Sequence, residues 1–267
     1  MILDGAMGTE LGFRGAPLSS SSWSAAALGT HPELVAQIHT EYARAGATVH
    51  TANTFRVQPH VLGAHFERVV TQAVALARKA VPKDHRVLGS MAPVRDCYRP
   101  DLAPEDKVAR EVHEAMAQAM FAAGVDGVLC ETFACPREAL VAIGAARTLG
   151  LSVWAGLTAG PDGSLLSPAE LARAAERCAR AGAALVFANC IDYRLCLPYA
   201  EALRAVGVPF GIYANAGVSA SGELAPASIS AAAAYAQAAL HWREAGALAL
   251  GGCCGTGPLH IEHLAEL

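Results

Sequence analysis

Short apolar runs recur along the chain, and each is followed by a longer stretch in which apolar residues return every three or four positions. The short runs are rich in small and β-branched residues, and they read as strands at Met1 to Asp4, Ala47 to Thr54, His85 to Ala92, Val125 to Thr132, Leu151 to Thr158, Ala183 to Cys190, Val208 to Ala214 and Ala247 to Gly252. Several are nearly continuous apolar segments, as expected of strands covered on both faces. The stretches between them read as helices. Thr30-His31-Pro32-Glu33 and Ser167-Pro168-Ala169-Glu170 have the form of capping boxes with proline in the first turn. Pro136 opens another helix, and Val108, Val112, Met116 and Ala119 fall on one helical stripe. Gly46, Gly124, Gly150, Gly182, Gly207 and Gly246 each stand between a helix and the next strand, where a left-handed C-terminal cap is needed. Strict alternation of strand and helix predicts a parallel sheet, and eight units predict closure into a (β/α)8 TIM barrel. No linker or shift in composition divides it, so residues 1–267 read as a single domain. The stretch from Gly5 to about Gly29 is too long for an ordinary connection and reads as a functional loop.

Composition narrows the class. A length of 267 residues matches the roughly 250 of one such barrel. With 53% hydrophobic and 16% charged residues the chain can bury a large core. A net charge of -4 without a basic stripe argues against nucleic acid as the main partner. No apolar run approaches the ~20 residues that span a bilayer, and the N-terminus lacks the basic and apolar regions of a signal peptide. The expectation is a cytoplasmic enzyme with no membrane partner. In that setting eight cysteines point to free thiols or a metal site rather than to disulfides.

Active sites of such barrels lie at the carboxyl ends of the strands. Asp4, Thr51 to Thr54, Glu131-Thr132, Asn189-Cys190, Tyr213, Asn215 and Gly251 to Thr256 stand there. Three thiols and two carboxylates thus converge on one mouth. Catalytic zinc typically has three protein ligands and an open fourth position, which Cys190, Cys253 and Cys254 would leave for a substrate. Neighbouring residues of a regular strand point to opposite faces, so Cys253 and Cys254 share a metal only if the backbone leaves the strand. Gly251, Gly252 and Gly255 permit that departure. Other readings stay open at this point: a redox dithiol at Cys253 and Cys254, a zinc-binding protein with a closed site, or a phosphate cradle at Gly251-Gly252. Cys97, Cys130, Cys135, Cys178 and Cys196 read as small core residues. Asp4 and Glu131 could serve as hydrogen-bond partners at strand ends, and Asn53 and Thr54 as turn formers. The histidines show no ligand spacing, and His260 and His263 read as the exposed polar face of the last helix.

The segments Leu3-Asp4-Gly5-Ala6-Met7-Gly8-Thr9-Glu10-Leu11, Thr51-Ala52-Asn53-Thr54-Phe55, Glu131-Thr132-Phe133, Asn189-Cys190 and Gly251-Gly252-Cys253-Cys254-Gly255-Thr256 resemble, in order and spacing, the homocysteine S-methyltransferase family. The resemblance implies zinc (Zn2+) held by Cys190, Cys253 and Cys254, with L-homocysteine binding through sulfur as the fourth ligand. It also implies that Asp4, Glu131 and the Gly252 carbonyl face the substrate amine, and that the Gly5 and Ala6 amides meet its carboxylate. Asn53 and Thr54 would line the substrate site, with Trp23 near both substrates. No residue is expected to act as a general acid or base. The family's methyl donors include S-methylmethionine, S-adenosylmethionine, betaine or thetins, and methylfolate. The single-domain length and the opening motif look most like the sulfonium-using branch, which favours S-methylmethionine, then S-adenosylmethionine. Selenohomocysteine is a further acceptor to expect, and the chain is expected as a monomer or homodimer.

Overall fold

The computed structural model describes residues 1–18, 22–217 and 225–267. Seven strands form one parallel sheet in sequential order: β1 (Val49–Ala52), β2 (Arg86–Met91), β3 (Gly127–Phe133), β4 (Val153–Leu157), β5 (Leu185–Asp192), β6 (Phe210–Asn215) and β7 (Ala249–Gly252). Each begins and ends within two residues of the span expected from its apolar run. The helices are α1 (Met7–Phe13), α2 (Ala27–Thr30), α3 (Pro32–Arg44), α4 (Pro59–Leu62), α5 (Phe66–Ala80), α6 (Asp106–Ala122), α7 (Pro136–Arg147), α8 (Pro168–Arg180), α9 (Cys196–Ala205), α10 (Ile229–Glu244) and α11 (Pro258–Ala265).

Two apolar layers follow from strand alternation. Leu3, Val49, Leu88, Leu129, Trp154, Phe187, Tyr213 and Ala249 pack together inside the curl of the sheet. The outward residues join the helices in a larger cluster that includes Val87, Val128, Val153, Val186 and Ile212. All six glycines expected at helix ends have positive φ, from 71° at Gly207 to 104° at Gly246. Side chains with a Cβ seldom adopt that conformation, so these residues fix where each helix turns into the next strand.

The eighth stave is where sequence and structure part. Residues 1–4 make no regular strand but only single parallel bridges, Ile2 to Leu250 and Leu3 to Val49. The cause is Asp4. Its backbone carbonyl accepts from Gly252 N–H, while its carboxylate Oδ2 accepts the Thr51 amide at 2.7 Å. A side chain therefore takes the ladder position on the β1 side.

Other expectations are corrected as well. Thr30 caps nothing: it closes α2, its hydroxyl donates to the Ala26 carbonyl, and α3 starts without a side-chain cap. Ser167 forms the expected capping box with Glu170. On α6 the buried face is Ala109, His113, Met116, Ala117, Ala119 and Met120, whereas Val108 is exposed. His113 joins that face because Glu138 partners it at 3.1 Å. His260 is buried rather than exposed, its Nδ1 accepting from Gly257 N–H, while His263 is half-buried. The stretch from Gly5 to Gly29 is not an open loop but holds α1 and a turn at Ser24–Ala26; its Ser19, Ser20 and Ser21 lie outside the described residues.

Candidate functional site

A cavity of about 590 Å³ opens at the carboxyl ends of the strands. Cys190, Cys253 and Cys254 line it, and their three Sγ atoms lie within 4.8 Å of one another. The Cys190 and Cys254 sulfurs are 3.8 Å apart, close to the edge of a tetrahedron built on metal–sulfur bonds of about 2.3 Å. Cys190 and Cys253 are nearer, at 2.8 Å, so this pair must open by about 1 Å around a metal. The closest thiols are thus not the adjacent ones. Interactions among the thiols, and after them burial, set their proton affinities apart: Cys190 and Cys253 are pushed up, and Cys254 is held well below the usual thiol range. Three thiols on one wall are a set of donors suited to a soft or borderline divalent metal.

Backbone irregularity aims these thiols. β7 ends at Gly252, and Cys253-Cys254 form the turn that follows, with Gly255 at φ 81°. The departure from the strand inferred from the glycines is present. Cys190 needs a departure of its own, within β5: its φ is 57°, and the register to β6 slips between Asn189 and Asp192. Thr132, on β3, has φ 64° beside a similar slip. Non-glycine residues hold such angles only when surroundings force them. Asn189 supplies the force. Its Oδ1 accepts from the Thr132 amide at 2.6 Å and hydroxyl at 2.9 Å, and its Nδ2 donates to the Tyr213 carbonyl at 3.2 Å. Gly156 makes room, since a Cβ there would sit 2.9 Å from Asn189 Oδ1. Asn189→Ala leaves the buried Thr132 amide without an acceptor, at a cost of about 2 kcal/mol, and a thermal denaturation curve should fall by about 5 °C.

The two carboxylates are buried beside the thiols. Glu131 lines the cavity and accepts a short hydrogen bond from the Ser90 hydroxyl. Burial raises it to about 7, opposed by the Ser90 bond and reinforced by Cys190. Asp4 lies behind the wall, its carboxylate held by the Thr51 amide and hydroxyl and by the Tyr213 hydroxyl at 3.2 Å. Burial raises Asp4 to about 8, with the Thr51 amide opposing and Glu131 adding repulsion. Two acids without a cation leave a place where an ammonium group would be stabilised. His39 and His50 come close to Asp4, but the Asp4 oxygens already accept bonds from Thr51 and Tyr213.

The remaining expected residues divide. Gly5, Ala6, Trp23 and Asn53 line the cavity; Thr54 and Gly252 do not. The Gly5 amide has no acceptor among the described residues, whereas Ala6 N–H donates to Thr256 Oγ1 at 3.2 Å. Asn53 is tied to Ser24, accepting from its hydroxyl at 2.6 Å and donating to its carbonyl. The Thr54 hydroxyl bridges to the Ser90 backbone, so it shapes the turn below Glu131. Trp23 has φ 47° and leans over Gly8, where a Cβ would meet its Nε1 at 2.1 Å.

Sequence reasoning missed several lining groups, Ser90, His60 and Asp96 among them. Tyr98 donates its hydroxyl to Cys190 Sγ at 3.1 Å, and Cys97 lines the cavity instead of serving only as packing. Arg56 and Arg95 add positive charge to the rim. Tyr98, Cys97 and Arg95 sit in the connection after β2, where no motif or strand end marks them; Arg56 follows a recognised motif directly and could have been found by extending it.

Comparison with known proteins agrees with this geometry. The family model described as "Homocysteine S-methyltransferase" matches residues 1–267. The chain is 30% identical over 298 aligned positions to homocysteine S-methyltransferase YbgG of Bacillus subtilis, covering 99% of this chain and 93% of that protein. It is 28% identical over 270 positions to S-methylmethionine–homocysteine S-methyltransferase BHMT2 of Pongo abelii, covering 91% of this chain and 72% of that one. The crystal structure of the homocysteine methyltransferase MmuM from Escherichia coli, in its metallated form, superposes with a TM-score of 0.85 at 27% identity, covering all of this chain and 95% of that one. Among the described residues no helix is long and apolar enough to cross a membrane.

Proposed function

The chain belongs to the homocysteine S-methyltransferase family, and on that premise we propose that it moves a methyl group from a sulfonium donor, S-methylmethionine before S-adenosylmethionine, to the thiol of L-homocysteine, with zinc at Cys190, Cys253 and Cys254. The observation that carries the reading is the trio of thiols, Cys190 buried and Cys253 and Cys254 half-buried, on the wall of a cavity that also holds an uncompensated carboxylate. Solved and curated relatives support it: one is named for S-methylmethionine, and another was crystallised in a metallated form. We also read residues 1–4 as the eighth stave of a closed barrel, because they bridge to both β1 and β7.

When bound, zinc would hold the homocysteine sulfur as a thiolate, the form that attacks. Glu131, with Asp4 behind it, takes the substrate ammonium; the free Gly5 amide is the donor best placed for its carboxylate, and the Ala6 amide must share itself with Thr256. The Gly252 carbonyl lies outside the cavity lining, which leaves it the weakest of the expected contacts. The sulfur forms a new bond to the methyl carbon, the donor's carbon–sulfur bond breaks, and its electron pair leaves with a neutral thioether. The thiol proton goes to solvent. No side chain transfers a proton at the reacting atoms, so rate comes from positioning and charge. Trp23 and Phe55 line the cavity, where an aromatic ring favours a cationic donor.

Methionine formation from homocysteine, followed by mass spectrometry with a panel of donors, tests the reading. Turnover with S-methylmethionine that a chelator abolishes supports it. Failure of metal-loaded protein with every donor retires it. Trp23→Leu should raise the donor's KM by about threefold while leaving that of homocysteine in place; equal effects on both would mean the indole only shapes the cavity.

A further inference from the structure

The methyl-transfer reading leaves part of the cavity wall without a role. Arg56 and Arg95 stand there with His60, and among the described residues they are the only guanidinium groups on the lining. Arg56 Nη1 donates to the Arg95 carbonyl at 2.9 Å, and its guanidinium lies 5.3 Å from the centre of the Phe55 ring. Neither guanidinium forms an ion pair among the described residues. Both lie close enough to His60 to depress its proton affinity, after burial, which is the larger cause. Two guanidinium groups thus stand on this wall against one carboxylate, Asp96, whose Oδ1 already accepts from the Tyr98 amide, so the cations outnumber the anion there.

That placement is at odds with a donor recognised only by its onium charge. A bare sulfonium or quaternary ammonium ion would be repelled by both arginines, and aromatic rings alone return little at a part-exposed site. A donor that carries its own anion reverses the sign, because a guanidinium matches a carboxylate with two parallel hydrogen bonds. We propose that Arg56, with Arg95, binds a carboxylate on the methyl donor, so that the enzyme selects zwitterions bearing an onium methyl at one end and a carboxylate at the other. The proposal rests on the methyl-transfer reading and adds the recognition element for the donor. The Phe55 ring braces the Arg56 side chain, and the bond to the Arg95 carbonyl ties it to the connection after β2, which also carries Tyr98 to Cys190. The donor's anionic end and the thiol site are thus set by one stretch of backbone. S-methylmethionine and thetins meet the requirement, whereas trimethylsulfonium does not.

The test uses full-length, metal-loaded protein and two donors, S-methylmethionine and dimethylsulfonioacetate, each compared with its methyl ester. With whichever donor the wild type uses, the ester should lose about tenfold or more in kcat/KM. R56Q should cost the parent donor a similar factor, expressed in its KM, with the KM of homocysteine unmoved. In R56Q the ratio of parent to ester should collapse toward one, and Arg56→Lys should restore part of it. R95Q should show the same pattern more weakly, because Arg95 is the more exposed of the two. A parent-to-ester ratio that survives in R56Q overturns the proposal, as does an equal loss in R56Q with parent, ester and homocysteine. A wild type that turns over no donor overturns the methyl-transfer reading itself, a result separable from any change confined to R56Q.

Discussion

Cys190→Ser should abolish metal retention and lower methyl transfer by about 10³-fold or more, because a bound metal would supply several kcal/mol of charge stabilisation and only three protein donors converge there among the described residues. Cys190 is the informative choice. It comes from β5, while Cys253 and Cys254 leave β7 together, so its loss removes the donor that joins the two sides of the mouth. Metal content by plasma mass spectrometry and methionine formation should fall together. A variant that loses metal but keeps turnover would leave the thiols a structural role. A redox dithiol at Cys253 and Cys254 would survive the substitution, since neither residue is touched. Chelation of the wild-type protein should reproduce the loss, and added zinc should restore activity in the wild type alone.

Glu131→Gln should move binding and stability in opposite directions. The amide keeps a hydrogen-bond acceptor for Ser90 but removes the charge proposed to meet the substrate ammonium. Loss of a buried charge pair costs about 2–5 kcal/mol, so the KM of homocysteine should rise by roughly 30-fold or more. In the free protein the sign reverses. Burial raises Glu131 from 4.5 to about 7, so its ionised form is disfavoured in the fold. The wild type therefore has its full share of stability below pH 4.5 and loses it as the pH climbs through 7. The loss reaches about 3 kcal/mol by pH 8, at 1.36 kcal/mol per pKa unit. Ligand-free Glu131→Gln should consequently melt higher than the wild type at pH 8, by about 5 °C or more, with the gap closing toward pH 5. A variant that melts lower at pH 8 would mean that the carboxylate is already compensated before substrate arrives.

Much of this was legible because two physical rules are strict. Strands covered on both faces must be apolar along their length, and a helix that turns at once into a strand needs a left-handed residue. The first located all seven strands, and the second fixed the beginnings of six of them through glycines; β2 follows Val81, in extended backbone, instead. The thiols could be grouped because their strands are known to end on one side. What escaped notice depended on contacts distant in sequence. Asp4 replaces a backbone ladder bond with its carboxylate, and nothing in the local pattern distinguishes that from an ordinary strand end. Thr30 had the spacing of a cap but was already spent on closing α2. His113 and His260 look like surface residues until Glu138 and the Gly257 amide are found beside them. Tyr98 reaches Cys190 across ninety-two residues of sequence, from a connection with no motif of its own.

The left-handed turn at Cys190 has a consequence for the order in which the molecule is made. It depends on Asn189 finding Thr132, fifty-seven residues earlier, and the Tyr213 carbonyl, twenty-four residues later. A nascent chain that has emerged only as far as β5 holds one of the three sulfurs and only the Thr132 half of what turns it, and the other two sulfurs follow sixty-three and sixty-four residues later. A metal at this site would therefore not nucleate the chain as it does a zinc finger; it would be captured by a sheet that has already assembled.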